Sequence, residues 1–367
     1  MARIQHIEII PYSVPISEFA DAYTAFTASN AVLVKMTSDE GAVGYGEACA
    51  WEPEFYGETI ESITSTLETY IAPKLLGLNP LQIAPLLSIV DAAVARITCV
   101  KEGVDLALHD LTGQLLGVPV YQLLGGAFTD RIPVASEVGI ASPQEMASNA
   151  SRLCDMGFRV IKVKGSHDVA MDVERIRAVR DAVGPEIALR LDPNAAWTTI
   201  DTLWAMRRLE DCNLQLLEQP IAGHDYAGMA HIRRKTQVPL MADEGIWTPQ
   251  DVIRIREAEA ADIVNIKIAK SCGLLRGKQI ETVANAAGLS SIAGTEIEPG
   301  FSLVAKLHLA ASFEYQGLAS EFTELSLLRK NVLTWEPEIV DGFVQVPTGP
   351  GFGVDLNHEV FDACRLR

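Results

Sequence analysis

The chain has 367 residues and a formal net charge of −18 at pH 7. Its composition, 48% hydrophobic and 21% charged, is that of an ordinary globular protein and argues against intrinsic disorder. The acidic balance argues against nucleic-acid binding, because that function requires clustered lysine and arginine to displace counterions from phosphate.

The first third of the chain is predicted to form an α+β domain. Residues Ile4–Pro11, Ala31–Thr37 and Gly44–Ala48 alternate between apolar and polar as strands do, and Asp39–Gly41 is typical of a hairpin turn. From Thr59 to Leu116 the apolar residues recur at helical spacing, which predicts three or four helices.

Beyond residue 125 the chain repeats a short apolar strand, a turn and an amphipathic helix. The predicted strands are Ile132–Ile140, Phe158–Lys164, Ile187–Asp192, Leu214–Gln219, Leu240–Glu244, Ile263–Lys267, Ser290–Thr295 and Leu318–Phe322. Eight strands that alternate with helices favour a closed α/β barrel of parallel strands. A doubly wound open sheet is the competing architecture, but no GxGxxG motif follows any strand.

The last residues do not continue the barrel period. Residues 341–367 are rich in turn-forming glycine and proline, and we expect them to return to the N-terminal domain. The predicted organisation is therefore a barrel at 126–340 and an α+β domain at 1–125 that is completed by about 341–367.

Three carboxylates end neighbouring apolar strands. Asp192, Glu218 and Asp243 close the strands Leu-Arg-Leu-Asp, Gln-Leu-Leu-Glu and Leu-Met-Ala-Asp. In a barrel all three would converge at the catalytic mouth, where a hard cation such as Mg²⁺, or alternatively Mn²⁺, would neutralise them. A single carboxylate is equally well explained by a salt bridge, but three at even spacing favour a metal site.

Three lysines lie in buried strands on either side of the carboxylates. Lys162 and Lys164 are two residues apart and share one face, and Lys267 lies across the mouth. A lysine acts as a base near neutral pH only if its pKa is lowered, which burial, a second ammonium group and a divalent cation would all do. We therefore expect Lys164 and Lys267 to be bases and Lys162 to tune Lys164, whereas Lys270 is expected to be an ordinary loop charge.

These residue types suit carbanion chemistry. The α-proton of a carboxylate is so weakly acidic that the enediolate must be stabilised strongly, and chelation by a metal ion provides that stabilisation. A nucleophilic triad is not predicted, because no GxSxG motif occurs and none of the seven histidines ends a predicted barrel strand.

Cysteine usage and the N-terminus suggest a cytoplasmic protein. The six cysteines are scattered without CxxC spacing, so neither a zinc site nor a disulfide framework is predicted. The first residues lack the charged and apolar regions of a signal peptide, and no run of 18 apolar residues occurs. We expect no membrane interaction.

The combination of motifs resembles the muconate-lactonizing (muconate cycloisomerase) subgroup of the enolase superfamily over essentially the whole chain. The matching motifs are Lys162-x-Lys164, Leu191-Asp192-Pro193-Asn194-x-x-Trp197, Glu218-Gln219-Pro220, Ala242-Asp243-Glu244 and Asn265-Ile266-Lys267. The resemblance implies a (β/α)₇β TIM-like barrel with an α+β capping domain, Mg²⁺ on the three carboxylates and lysines on opposite faces of the substrate. It also implies supporting roles for Asn194 and Glu244, a small carboxylate substrate, and a homo-oligomer, dimer or octamer.

Substrate recognition is less constrained by the sequence. The stretch from Gly294 to Gly300 is similar to the Gly-Thr-x-x-Glu motif of muconate cycloisomerases, with Glu298 at its acidic position and an added Glu296 that disfavours a dicarboxylate. Dipeptide epimerases carry Asp-x-Asp on the last strand, where this chain has Glu321 and Thr323, which argues against dipeptides. Loops at about 16–30 and 50–58 are expected to supply aromatic substrate contacts, namely Tyr23, Phe26, Trp51, Phe55 and Tyr56.

Two kinds of reaction remain open. The preferred reading is a muconate cycloisomerase-like lactonizing enzyme. The alternative is a racemase or epimerase of an amino-acid derivative, such as an N-acyl or N-methyl amino acid or a proline derivative, or a dehydratase of a hydroxy acid or hydroxyproline. A non-catalytic scaffold is not favoured, because the lysine pair is intact.

Overall fold

The computed structural model describes residues 2–51, 53–315 and 317–366; residues 1 and 367, the outer ends of the predicted capping domain, lie outside this set. The chain begins with a three-stranded antiparallel sheet in the order β1-β2-β3. Its strands are β1 Ile4–Ala20, β2 Ala25–Ser38 and β3 Val43–Cys49. The predicted turn joins β2 to β3, and Gly41 adopts the positive φ of 85° that it requires.

The hairpin of β1 and β2 is longer than predicted. Residues 16–30, expected to be a loop, continue the two strands, and only residues 21–24 form the turn. The register passes an irregularity between Pro15 and Phe19 and then resumes with Phe19 opposite Phe26. The prediction was wrong because proline within an apolar run interrupts strand periodicity, although an edge strand tolerates it.

Helices cover one face of this sheet. They are Pro53–Tyr56, Ile60–Thr66, Ala72–Leu75, Ile83–Ala93, Thr98–Leu116 and Val120–Leu123, with a π-helical stretch at Leu67–Ile71. The long helix at 98–116 packs directly on β3, where Gly46 meets Gly103. A Cβ atom at Gly46 would lie 2.0 Å from the carbonyl oxygen of Gly103, so this close approach requires glycine.

Within the described residues, eight parallel strands form the barrel, which confirms the predicted (β/α)₇β architecture. They are β4 Arg131–Val138, β5 Val160–Lys164, β6 Ala188–Asp192, β7 Leu214–Glu218, β8 Leu240–Ala242, β9 Ile263–Ile266, β10 Ser290–Ala293 and β11 Ser320–Glu321. Consecutive strands pair from β4 to β10, and β11 pairs with β4. The barrel closes where the amide of Ala293 donates to Ser320 Oγ at 3.1 Å.

Seven helices of the described part of the chain connect these strands on the outside of the barrel. They are Pro143–Asp155, Val169–Val183, Thr199–Arg208, Tyr226–Arg233, Pro249–Ala258, Leu274–Ala286 and Phe301–Ala311. Several begin with a capping box, as at Ser142 and Glu145, which satisfies the first amide groups of the helix. Among the described residues, no helix is both long and apolar enough to cross a bilayer.

The C-terminal segment contacts both parts of the chain. Its strand β12, Phe343–Gln345, pairs antiparallel with β4, which the sequence did not predict. Further on, the amide of Ser13 donates to the Cys364 carbonyl at 2.9 Å, and the ring of Phe361 lies 5.0 Å from that of Tyr12. Assignment of residues 341–367 to the capping domain therefore stays a prediction.

Glu47 on β3 joins the small sheet to the barrel. Its completely buried carboxylate accepts hydrogen bonds from the Tyr12 hydroxyl, from the Gly300 amide at 3.3 Å and from the Phe301 amide at 2.9 Å. Burial raises the pKa of Glu47 to about 7, against the lowering effect of the hydrogen bond from Tyr12.

This carboxyl is expected to make stability depend on pH. From about pH 4.5 to pH 7 the unfolded state has lost the Glu47 proton that the folded state still holds, so the free energy of unfolding falls as the pH rises. The loss amounts to about 3 kcal/mol over that range. In denaturant titrations, the free energy of unfolding of the wild type should fall by this amount relative to that of Glu47→Gln, because glutamine has no ionisable proton. A difference that is constant with pH would contradict this assignment.

Candidate active site

The barrel brings the three predicted metal ligands to one edge. Asp192 and Glu218 are the last residues of β6 and β7, and Asp243 directly follows β8. Because these strands are parallel neighbours, their carboxyl ends meet at the same mouth. All three side chains are buried, and burial, followed by repulsion from Asp192, raises the pKa of Glu218 well above its usual range.

The lysines reach this cluster from both sides. Lys164 Nζ lies 2.8 Å from Asp192 Oδ2, and Lys267 Nζ lies 2.9 Å from Asp243 Oδ2. Lys164 ends β5 and Lys267 follows β9, so the three strands that carry the carboxylates lie between them. Lys162 Nζ lies deeper, 2.9 Å from Glu218 Oε2.

The surrounding carboxylates dominate the charge state of Lys164. Burial acts to lower its pKa, but Asp192 and Glu137 raise it, and the result lies above the ordinary lysine value. The ammonium groups of Lys162 and Lys267 oppose this rise, so the contribution of Lys162 has the sign predicted from the sequence. The net effect on the pKa of Lys164 is therefore a rise, opposite to the lowering that was expected from the sequence.

Two charged residues of the site, Glu137 and Lys270, were not predicted as site residues from the sequence. Glu137, on β4, bridges the lysines, with Oε1 2.7 Å from Lys162 Nζ and Oε2 3.7 Å from Lys164 Nζ. Lys270 is buried and donates to the Asp243 carboxylate and carbonyl, so its prediction as a loop charge was wrong. After β9 the chain turns back over the mouth, which brings Lys270 inward. The available signal for Glu137 was a lone charge inside an apolar strand.

Asn194 and Glu244 line the same edge. The Asn194 amide donates to Asp192 Oδ1 at 3.0 Å, and its side-chain Oδ1 is buried without a hydrogen-bond partner among the described residues. Glu244 Oε2 is likewise buried and unpartnered within the described part of the chain. Burial, then the charges of Asp243 and Asp192, raise the pKa of Glu244 to about 8.

The donor set fits a hard divalent cation. It consists of desolvated carboxylates on three consecutive strands with unpartnered oxygen atoms beside them, and such oxygen donors suit Mg²⁺. The ammonium group of Lys162 lies between two of them, 3.3 Å from Asp192 Oδ2 and 2.9 Å from Glu218 Oε2. In the described residues, no group of three or more His, Cys, Asp or Glu side chains is arranged so that it could hold a metal ion.

The three glutamates that are predicted to contact the substrate lie in three different environments. Glu296 Oε1 is 3.2 Å from Lys267 Nζ and accepts a hydrogen bond from the Tyr56 hydroxyl at 2.5 Å. Glu298 is completely buried and pairs with Lys306 at 2.9 Å. Glu321 is equally buried, 2.9 Å from Lys162 inside the barrel. Substrate contact by Glu298 and Glu321 stays a prediction, whereas Glu296 lies beside a predicted base.

The predicted aromatic residues divide into three groups. The hydroxyl of exposed Tyr23 donates to the Asn194 carbonyl at 2.7 Å. Phe26 and Trp51 stack with their centroids 3.9 Å apart, and Trp51 is buried in the core of the small domain. Phe55 and Tyr56 contact Trp247, a barrel residue that was not predicted from the sequence.

Trp247 brings a third ring to Phe55 and Tyr56. It lies in the loop after β8, and its centroid is 5.3 Å from that of Phe55 and 5.8 Å from that of Tyr56. Its indole nitrogen donates to the Glu244 carbonyl at 3.0 Å. The small domain therefore contacts the mouth through aromatic rings.

Comparison with known proteins gives consistent matches along the chain. The mandelate racemase / muconate lactonizing enzyme N-terminal domain matches residues 6–125, and the enolase C-terminal domain-like family matches residues 145–360.

Individual relatives carry out several reactions. N-succinyl-L-Arg/Lys racemase of Bacillus cereus is 34% identical over 97% of this chain and 96% of that protein, and its crystal structure superimposes with a TM-score of 0.94. Muconate cycloisomerase 1 of Rhodococcus opacus is 33% identical over 92% of this chain and 91% of that protein. A dipeptide epimerase of Cytophaga hutchinsonii, solved with Mg and D-Ala-L-Val, is 28% identical, with a TM-score of 0.93 and coverage of 99% and 98%.

Proposed function

The chain belongs to the enolase superfamily, within its mandelate racemase and muconate lactonizing enzyme group, and we propose that it is an isomerase that forms the enolate of a small carboxylate substrate. The supporting observation is that Lys164 and Lys267 approach one cluster of carboxylates from opposite sides, at 2.8 and 2.9 Å. A substrate held over that cluster would have one lysine on each face of its α-carbon.

Each part of the site has a proposed role. Asp192, Glu218 and Asp243 would hold Mg²⁺, or alternatively Mn²⁺, which when bound supplies positive charge to a substrate carboxylate and its enolate. Lys164 and Lys267 would move protons at the α-carbon. Their ion pairs with Asp192 and Asp243 support these roles, because a carboxylate that turns to another cation weakens its hold on the lysine proton.

Three further residues would support this chemistry. Lys162, held by Glu137 and Glu218, would keep positive charge beneath the cluster. Asn194 and Glu244 would orient the ligands, since both have buried oxygen atoms at the same edge.

The first candidate reaction is lactonization. One carboxylate of a conjugated diene diacid would add to the diene, and a lysine would protonate the resulting enolate at its α-carbon. Support comes from the 33% sequence identity to a muconate cycloisomerase and from the Gly-Thr-x-x-Glu stretch around Glu298. Incubation with Mg²⁺ and cis,cis-muconate should consume the ultraviolet absorbance of the diene, and unchanged absorbance at high enzyme concentration would refute this reaction.

The second candidate is racemisation or epimerisation of an amino-acid derivative. Glu296 favours it, because a buried carboxylate beside Lys267 suits a substrate nitrogen better than a second substrate carboxylate. Deuterium from solvent would enter the α-carbon without formation of a lactone, which NMR detects. Elimination from a hydroxy acid would be recognised in the same spectra by the new double bond.

Assembly is a separate proposal. Resemblance to the family supports a homo-oligomer, dimer or octamer, and light scattering of the purified protein gives its mass directly. A monomer would contradict it.

A further inference from the structure

Gln219 connects turns at the mouth of the barrel through its side chain. It comes directly after Glu218 at the end of β7 and is almost completely buried. Its Oε1 accepts hydrogen bonds from the amides of Asp243 at 3.0 Å and Gly245 at 3.3 Å, in the turn after β8. Its Nε2 donates to the Ile221 carbonyl at 2.8 Å. Each polar atom of this side chain is therefore engaged by the backbone of a turn.

The backbone of Gln219 reaches the strands on both sides. Its amide donates to the Met241 carbonyl of β8 at 2.9 Å, and its carbonyl accepts from the Ala195 amide, in the turn after β6, at 2.8 Å. Gln219 and Ala195 have positive φ angles of 24° and 58°. This conformation costs a non-glycine residue energy and persists only where neighbouring contacts fix it. One residue thus joins the ends of β6, β7 and β8.

The turns after β7 and β8 pack directly against each other. A Cβ atom at Gly223 would lie 2.6 Å from the carbonyl carbon of Glu244, and one at Gly245 would lie 2.7 Å from the carbonyl oxygen of Gly223. Neither position has room for a side chain, so the two backbones are in contact. The hydrogen bonds of Gln219 across this contact set how the two turns are aligned.

Asp243 is held by two kinds of contact, which differ in the atoms that they occupy. Lys267 and Lys270 contact its carboxylate oxygens, the atoms that a divalent cation would use. Gln219 contacts its backbone amide and carries no charge, so it holds the residue in place without competing for those oxygens. A ligand that is already in position binds a metal ion more tightly, because less order has to be created on binding.

We propose that Gln219 is a positioning residue that fixes Asp243 relative to Glu218 before a metal ion binds. This inference rests on the proposed function, because it takes both carboxylates as metal ligands. Gln219 acts through the backbone and not by contact with the metal ion, since both lone pairs of Oε1 accept from the two amides. The preformed arrangement lowers the Mg²⁺ concentration that the enzyme requires and leaves the chemistry at the α-carbon unchanged.

Amide hydrogen exchange in metal-free protein tests the positioning directly. After treatment with a chelator, mass spectrometry of the wild type should show protection of the peptide that contains Asp243 and Gly245. Gln219→Met keeps the length of the side chain but removes the acceptor, so exchange in this peptide should become at least about tenfold faster. The peptide with Ala195 is an internal control, because its amide donates to the Gln219 backbone carbonyl, which the substitution leaves in place.

Calorimetry then measures the effect on the metal site. Gln219→Met should bind Mg²⁺ about 10- to 100-fold more weakly than the wild type, as is typical when a partner that orients metal ligands is lost. At saturating Mg²⁺ its kcat should return to within about threefold of the wild-type value, because the reacting groups are intact. A residue that only stabilised the fold would lower Tm without this separation of Mg²⁺ affinity from kcat.

Further variants keep the outcome specific. Gln237→Met makes the same chemical change at an exposed residue before β8 and should alter neither exchange nor Mg²⁺ affinity. If Gln219→Met does not fold, Gln219→Asn is measured instead, because its shorter side chain loses contact with at least one of the two amides.

Two results would overturn the proposal. One is unprotected amides at Asp243 and Gly245 in the metal-free wild type, and the other is wild-type Mg²⁺ affinity in a folded Gln219 variant. Failure of the proposed function is distinguishable, because the wild type would then show no Mg²⁺ binding or α-proton exchange, whatever the protection of these amides in metal-free protein.

Discussion

Replacing Lys164 by alanine is expected to lower kcat by a factor of about 10³ for any substrate that the enzyme turns over. Lys164 ends β5 at the mouth and lies 2.8 Å from Asp192, so its loss would remove one of the two proposed proton-transferring groups from one face of the substrate. The proposed metal ligands remain in place, and KM should change much less than kcat. Steady-state kinetics on a substrate identified by NMR measures both parameters.

A matched lysine variant serves as the control. Lys278 lies on the outer helix 274–286 and pairs with Glu281 at 2.9 Å, away from the mouth. Lys278→Ala should keep wild-type kcat within about twofold, since this ion pair lies on an outer helix away from the reacting groups. Lys164→Ala should still fold and bind Mg²⁺. A folded Lys164→Ala variant with unchanged kcat would remove Lys164 from the mechanism.

Removal of divalent metal is expected to abolish turnover and to lower thermal stability. The three carboxylates are buried beside one another, and a cation bound to the folded state alone stabilises it by about 2.7 kcal/mol at a concentration a hundred times its Kd. Adding Mg²⁺ to chelator-treated protein should therefore raise Tm and restore activity. Scanning calorimetry and activity assays on the same sample measure the two effects.

The ligand assignment has its own test. Glu218→Gln removes one charged oxygen donor, so Mg²⁺ affinity measured by calorimetry should fall at least about tenfold. Glu281→Gln makes the same chemical change at a buried carboxylate of an outer helix and should leave Mg²⁺ affinity unchanged. Equal Mg²⁺ affinity in the wild type and Glu218→Gln would show that Glu218 is not a ligand.

The barrel was predictable because each strand ends in a recognisable way. Asp192, Glu218 and Asp243 terminate short apolar runs at even spacing. Because the strands of a barrel are parallel, residues at their carboxyl ends all lie at the same edge. Lys162 and Lys164 were predictable for the same reason, since their spacing of two fixes a common face.

Other parts of the site depend on how the loops fold back over the barrel. The conformation of a loop leaves no periodic pattern of apolar residues in the sequence. Lys270 lies in a turn after β9 and reaches Asp243 only through the return of that turn. Trp247 and Tyr56 are far apart in sequence and meet only because the small domain packs on the barrel. The tip of the first hairpin was misjudged because its prolines interrupt the alternation that identifies strands.

The central claim is that two lysines and one carboxylate-ligated metal site share the formation of an enolate. Its most direct test is the incorporation of solvent deuterium at the α-carbon, followed by NMR for a panel of N-substituted amino acids and small carboxylic acids. We expect Mg²⁺-dependent exchange in the wild type and none in the Lys164→Ala/Lys267→Ala double variant. Exchange at the wild-type rate in the folded double variant, or after chelation of the metal, would contradict the claim.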